Sequence, residues 1–287
     1  MLLENDDLLV KFKLEGSEWT SLYDKRRQIE FAWQGKSEFW GGRNPTLFPV
    51  VGRLWRETYR HEGREFRLGN HGFARNCEFK LASQTQNTLA LELTDNEKTR
   101  ENYPFAFRLT NTYSLSEKTL TVTKSVFNSD KRDMPFSVGA HPAFNCPLLP
   151  GEKFEDYRLV WELEEDLSRL KLNPANSSFE RERESYGRFK EIELRRDVFF
   201  KEDTLVFENV RSSWLKLQGP EAGLRVSFSR APWVGIWTKG DAPFICLEPW
   251  QGHGDFAGYE GEFGEREGTI ILPPGTSFDF TYEITLE

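Results

Sequence analysis

The feature that most constrains this chain is a two-residue alternation of apolar and polar side chains, recurring from residue 88 to the C-terminus. Successive side chains of an extended strand point to opposite faces, so only β-structure turns this pattern into one buried and one wet face. Thr88 to Thr94 sets Leu89, Leu91 and Leu93 against smaller or polar neighbours. Phe105 to Ser114 alternates again, Ser116-Glu117-Lys118 interrupts, and Leu120 to Phe127 resumes, which reads as a hairpin. Trp214 to Leu217 breaks at Gly219-Pro220 before Leu224 to Phe228, and Phe278 to Leu286 alternates after the turn Pro273-Pro274-Gly275. Helical periodicity is scarce. The most charged and least patterned stretch, Glu152 to Arg196, carries turn signals at Asn173-Pro174 and Asn176-Ser177-Ser178 and reads as a hairpin insertion with loops.

No Gly/Ser linker divides the sequence and no repeat of fixed period occurs. The expectation is an all-β chain folding as a single domain over residues 1–287, a large antiparallel β-sandwich. The 24 Phe and 9 Trp residues supply the apolar area for a sizeable core.

Charge narrows the function classes. The net charge of −8, from 38 basic and 46 acidic residues, argues against a nucleic-acid or anionic-membrane partner. Met1 to Asp7 lacks the basic start and apolar segment of a secretory signal, and no apolar run approaches the ~20 residues that span a bilayer. Cys77, Cys146 and Cys246 are odd in number and far apart, so a disulfide framework is not expected and a reducing, cytoplasmic setting is.

Two of the four histidines sit among small residues, in Gly69-Asn70-His71-Gly72-Phe73-Ala74-Arg75 and Gly139-Ala140-His141-Pro142-Ala143-Phe144-Asn145. Small flanks let another chain or a ligand come close, and Pro142 stiffens the backbone after His141. A rigid, uncrowded imidazole suits proton transfer. The competing reading of each is a satisfied core or surface histidine. In Ile245-Cys246-Leu247-Glu248-Pro249-Trp250 a carboxylate follows an apolar strand-like run. Pro249 is expected to stop that strand and leave Glu248 at a sheet edge, close to apolar neighbours that raise its proton affinity. The alternative is an ordinary strand-end charge. A two-His, one-carboxylate metal site drawn from His71, His141, His253, Asp255 and Glu248 lacks close ligand spacing, so no metal is expected. Gly41-Gly42-Arg43 lacks the Lys-Ser/Thr of a nucleotide loop, and no Gly-x-Ser-x-Gly elbow occurs.

Four segments in order, Asn44-Pro45-Thr46-Leu47-Phe48-Pro49-Val50-Val51-Gly52-Arg53, His71 to Arg75, Gly139 to Asn145 and Cys246 to Trp250, resemble the aldose 1-epimerase (galactose mutarotase-like) family, in its bacterial LacX-like branch. The resemblance runs from about Ser21 to the C-terminus. It implies the family's large β-sandwich, or supersandwich, with its site on a concave sheet face, and an isomerase that interconverts the α and β anomers of a sugar without a cofactor. It also implies roles. His141 matches the acid that protonates the ring oxygen, Glu248 the base that takes the proton of the C1 hydroxyl, and His71 a second histidine that polarises the sugar. Arg53 matches a sugar-binding arginine, and Asp203, by weaker local similarity, a sugar-binding aspartate.

A cyclic aldose is a hemiacetal, so a base at O1 and an acid at the ring oxygen, placed on opposite sides of C1, suffice to open it. Rotation about C1–C2 and reclosure then give the other anomer. Each well-placed acid or base typically contributes ~10²–10⁴-fold. Arg43, Arg53 and Arg75 leave a hexose-6-phosphate 1-epimerase open as an alternative, because guanidinium forks hold phosphate. A non-catalytic sugar-binding or sensing protein is a further alternative, but it would not require both an acid and a base. A glycosidase would call for two carboxylates flanking the bond.

Overall fold

The computed structural model describes residues 1–173, 175–229 and 231–287. Among them the dominant element is a 14-stranded antiparallel sheet. Its main path runs Val138–Gly139, Phe244–Gln251, Trp233–Trp237, Thr204–Glu208, Arg158–Asn173, Trp214–Gln218, Gly223–Phe228, Ser277–Leu286, Thr119–Asn128, Phe107–Ser116, Thr88–Thr94 and Lys80–Gln84. Ala143–Asn145 pairs with Phe244–Gln251, and Ser178–Glu193 with Arg158–Asn173. A four-stranded sheet from the first thirty residues, Leu2–Glu4, Leu8–Phe12, Trp19–Asp24 and Ile29–Glu30, completes a large antiparallel β-sandwich.

The alternation explains this architecture. In Thr119–Asn128 every second residue is buried, and its neighbour Phe107–Ser116 buries Phe107, Leu109, Asn111, Tyr113 and Leu115 on the same face. Glu117, at φ 48°, turns between them, so the polar break at residues 116–118 is the hairpin tip. The apolar cluster beneath draws on residues from Leu3 to Leu286.

The charged stretch after Glu152 is more regular than its composition suggests. It holds two sixteen-residue strands, Arg158–Asn173 and Ser178–Glu193, paired with each other. Register shifts between Val160 and Glu165, and again near Leu167 and Leu170, break the alternation and hide the strands from a periodicity test. The expected turn at Asn173-Pro174 includes Pro174, which lies outside the described residues. Ser177, at φ 55°, makes the following turn.

The sheet buries both faces where Phe244–Gln251, Trp233–Trp237 and Thr204–Glu208 lie side by side. Ile245, Leu247, Ile236, Leu205 and Phe207 join the main core. Cys246, Trp250 and Val206 face the other way into two smaller clusters, with Trp237 packed against one of them. A strand buried on both sides reads as a continuous apolar run, which is why Phe244 to Leu247 shows no alternation. No helix among the described residues is long and apolar enough to cross a membrane.

Candidate active site

Glu248 is not at a sheet edge. Its strand continues through Pro249 to Gln251 and lies between Trp233–Trp237 on one side and two short strands, Val138–Gly139 and Ala143–Asn145, on the other. Between those short strands the chain leaves the sheet at Ala140-His141-Pro142. Ala140 N–H donates to Pro249 O at 3.1 Å, and Leu247 N–H to Pro142 O at 3.2 Å. Pro249 thus lacks its N–H at the gap in the flanking ladder, where the lost bond costs least. Alternation then points Cys246, Glu248 and Trp250 to one face. Gly235, opposite Glu248, makes room for this face, since a Cβ there would lie 2.8 Å from the Trp250 ring.

The same gap presents His141. Its Nε2 lies 3.4 Å from Glu248 Oε2, and its ring stacks on Trp40, with centroids 5.0 Å apart, and meets the edge of Trp237 at 5.6 Å. His141 and Glu248 are therefore close neighbours.

His71 comes from a loop laid over the sheet. Gly72, at φ 69°, passes so close to Phe48 O that a Cβ would lie 2.3 Å from it, so only glycine fits. His71 itself has φ 63°, a left-handed conformation that costs a non-glycine residue roughly 1–2 kcal/mol. Two bonds hold it: His71 N–H to Gly52 O at 2.8 Å, and Gly52 N–H to His71 Nδ1 at 3.1 Å. Because Nδ1 accepts, the neutral ring carries its proton on Nε2 and offers a donor. The His71 and His141 ring centroids are 5.4 Å apart.

These side chains line a cavity of about 360 Å³ together with Arg53, Arg75 and Asp203. Burial holds the Glu248 carboxyl well above the usual carboxylate range; Asp203 adds to this, while the Trp250 Nε1–H bond to Oε2 at 3.3 Å and the Arg75 charge offset it in part. Burial, with His71 and Arg75, pushes His141 well below the ordinary imidazole value. Burial, with Arg75 and Arg53, takes His71 down to about 3. In both Glu248 and His141 burial disfavours the charged form.

Six of the seven residues singled out from the sequence meet at this cavity. The seventh, Arg43, does not line it: its guanidinium lies against Gly35 and donates to Gln34 O at 2.8 Å. Arg53 reaches the cavity while Nη1 pairs with Glu57 at 2.6 Å. Asp203 follows the short helix Arg196–Glu202 in a left-handed conformation. Arg75 is half-buried and forms no hydrogen bond or close ion pair among the described residues; the opposite charges acting on it are those of Glu18 and Glu248. Trp40, Trp237 and Lys239 also line the cavity and were not read as site residues. Nothing in the sequence sets these two tryptophans apart from the other seven. His253 and Asp255 belong to another network, in which Asp255 pairs with Arg266 at 2.5 Å and His253 Nδ1 bonds Gly254 O. A different grouping places ligand atoms of His141, Cys246 and Glu248 within 4.8 Å of one another.

Comparison with known proteins identifies the family. The family model described as aldose 1-epimerase matches residues 1–285. The LacX protein encoded on the chromosome of Lactococcus lactis subsp. lactis is 34% identical over 296 aligned residues, covering 99% of this chain and 98% of that protein. The structure of a galactose mutarotase related enzyme from Lactobacillus acidophilus superposes with a TM-score of 0.95 at 33% identity, covering 100% of this chain and 97% of that one. A galactose mutarotase-like protein from Lactobacillus casei gives a TM-score of 0.94 at 27% identity, with coverage of 100% and 99%. The chain belongs to the aldose 1-epimerase family and is an isomerase of that type.

Proposed function

We propose that the protein is a mutarotase acting on a free aldose, with Glu248 and His141 exchanging protons at O1 and the ring oxygen. The observation that carries this reading is the 3.4 Å approach of His141 Nε2 to Glu248 Oε2 at the floor of the cavity. Burying two titratable groups together is costly, and a site that only bound sugar would gain nothing from it. In the forward direction the base takes the O1 proton as the acid protonates the ring oxygen; the C1–O5 bond breaks and leaves the aldehyde. After rotation about C1–C2 the base gives its proton back to O1 as the acid recovers its own from O5. His71, held with Nε2–H free to donate, polarises the oxygen that receives the proton. Arg53 and Asp203 bind hydroxyls, and Trp40 and Trp237 wall the reacting end. Every proton is recycled, so no cofactor is consumed. One domain spanning residues 1–287 fits a core that draws on both chain ends. A cytoplasmic setting fits the three unpaired thiols.

A second reading, an aldose carrying a phosphate, is favoured by one observation: Arg75 lines the cavity without a close partner, and Arg53 and Lys239 add positive charge there. Anomer exchange followed by polarimetry or NMR over free glucose and galactose and their 6-phosphates separates the two. The free-aldose reading expects the free sugars to have the higher kcat/KM. A tenfold or greater preference for the phosphates, about 1.4 kcal/mol of transition-state binding, would transfer the assignment to the phosphosugar. Absence of exchange with every sugar would remove the mutarotase reading.

A further inference from the structure

We infer that the floor of the cavity is also a binding site for a thiophilic divalent cation such as Zn²⁺, held by His141, Glu248 and Cys246, and that its occupancy switches the acid–base pair off. Cys246 and Glu248 are alternate residues of one strand and project from the same face, while His141 enters from the gap beside them. A ligand atom from each lies within 4.8 Å of the other two. The 3.4 Å between His141 Nε2 and Glu248 Oε2 is already the edge of a tetrahedron whose metal–ligand bonds are ~2.0–2.1 Å long. A thiolate on a ~2.3 Å bond would stand roughly 3.6 Å from each of them, so the sulfur needs to close by about 1.2 Å at most.

The ligand set is one imidazole nitrogen, one thiolate and one carboxylate, with the fourth position open to the cavity for water or a sugar hydroxyl. This is the three-ligand pattern of an accessible zinc site, and sulfur selects Zn²⁺ or Cd²⁺ over Mg²⁺ or Ca²⁺. On binding, the thiol and the carboxyl release their protons to solvent, and two anionic ligands balance the two charges of the cation. The buried assembly is then neutral overall, which a site with 1% exposure at Glu248 and none at Cys246 tolerates. Two features limit affinity. Arg75 and Arg53 place positive charge near the site, opposed by Asp203. His141 Nδ1 has no hydrogen-bond partner, and a missing partner of that kind typically costs 10–100-fold in metal affinity. The device is therefore an inhibitory site filled at elevated metal, distinct from a resident cofactor. Its inhibitory part rests on the mutarotase reading, whereas metal binding does not.

Chelator-treated full-length protein is titrated with Co²⁺ and followed by absorption. A thiolate-to-cobalt charge-transfer band that Cys246→Ala removes is the expected result, with Cys246→Ser as the second variant should the alanine protein fail to fold. Zn²⁺ is expected to inhibit anomer exchange reversibly, with EDTA restoring the rate. Cys246→Ala should retain parental exchange without metal and need at least tenfold more Zn²⁺ for half-inhibition. No charge-transfer band in the parent, or a band unchanged in both variants, overturns the proposal. A Cys246-dependent band in a protein without anomer exchange would keep the metal site and discard the mutarotase reading.

Discussion

Glu248→Gln tests the base role directly. Glu248 is 1% exposed and accepts a hydrogen bond from Trp250 Nε1–H at 3.3 Å, and its Oε2 lies 3.4 Å from His141 Nε2. Glutamine keeps the shape and the acceptor oxygen for Trp250, and the position already favours an uncharged group, so folding stability should be preserved. The loss is the proton site. A well-placed base supplies ~10²–10⁴-fold, which is about 2.7–5.5 kcal/mol of barrier. Water has little access here, so no solvent base takes over, and a fall of about 10³-fold or more is expected. The pH profile sharpens the test. In the parent the active pair carries one proton. Protonating both groups as pH falls through the His141 transition stops catalysis, and burial moves that limb below the ordinary histidine range. Removing the last proton as pH rises through the Glu248 transition stops it again, and burial moves that limb well above the ordinary carboxylate range. Activity is confined to the window between these two limbs. In Glu248→Gln the upper limb should vanish from the residual rate. The assay is polarimetric or NMR anomer exchange after subtraction of the spontaneous rate, with circular dichroism as the folding control. A folded variant retaining a tenth or more of parental kcat/KM, or an unchanged upper limb, would refute the reasoning.

Other perturbations separate binding, bystander and core residues. Arg75→Ala removes an unpartnered cation from the cavity wall and should lower kcat/KM by about tenfold or more, whereas Arg43→Ala, outside the cavity, should stay within about twofold; equal effects would show that the cavity is not the substrate site. Lys124 is buried with Nζ on Thr46 Oγ1 at 3.1 Å, and burial lowers its pKa to about 7. Between that value and the unfolded lysine value the unfolded chain binds more protons, so stability rises with pH across this window, by up to about 1.4 kcal/mol per pH unit. Lys124→Met should flatten that slope in urea melts between pH 7 and pH 9, and an unchanged slope would mean that the amine is charged in the fold.

Alternation alone determined much of this protein, because the side-chain period of a strand is local and survives in any context where one face is buried. The strands at residues 88–94, 107–116, 119–128 and 277–286 were legible for that reason. The motif glycines also carried readable information, since Gly72 beneath Phe48 O and Gly139 beside Trp250 occupy places where a Cβ has no room. Where burial is two-sided or the register slips, the period disappears, and only the fold showed that Arg158–Asn173 is one long bulged strand and that Pro249 sits inside its strand. The site is the extreme case. His71, His141 and Glu248 are separated by 70 and 107 positions in sequence, and their 3.4 Å and 5.4 Å approaches exist only because a loop and a gap in the ladder converge on one sheet face. Spacing could not exclude Arg43 or nominate Trp40, Trp237 and Lys239, because which side of a loop faces a cavity is decided by packing across the whole molecule. Cys246 shows the same limit: its place beside Glu248 on the strand was readable, but its nearness to His141 was created by tertiary structure alone.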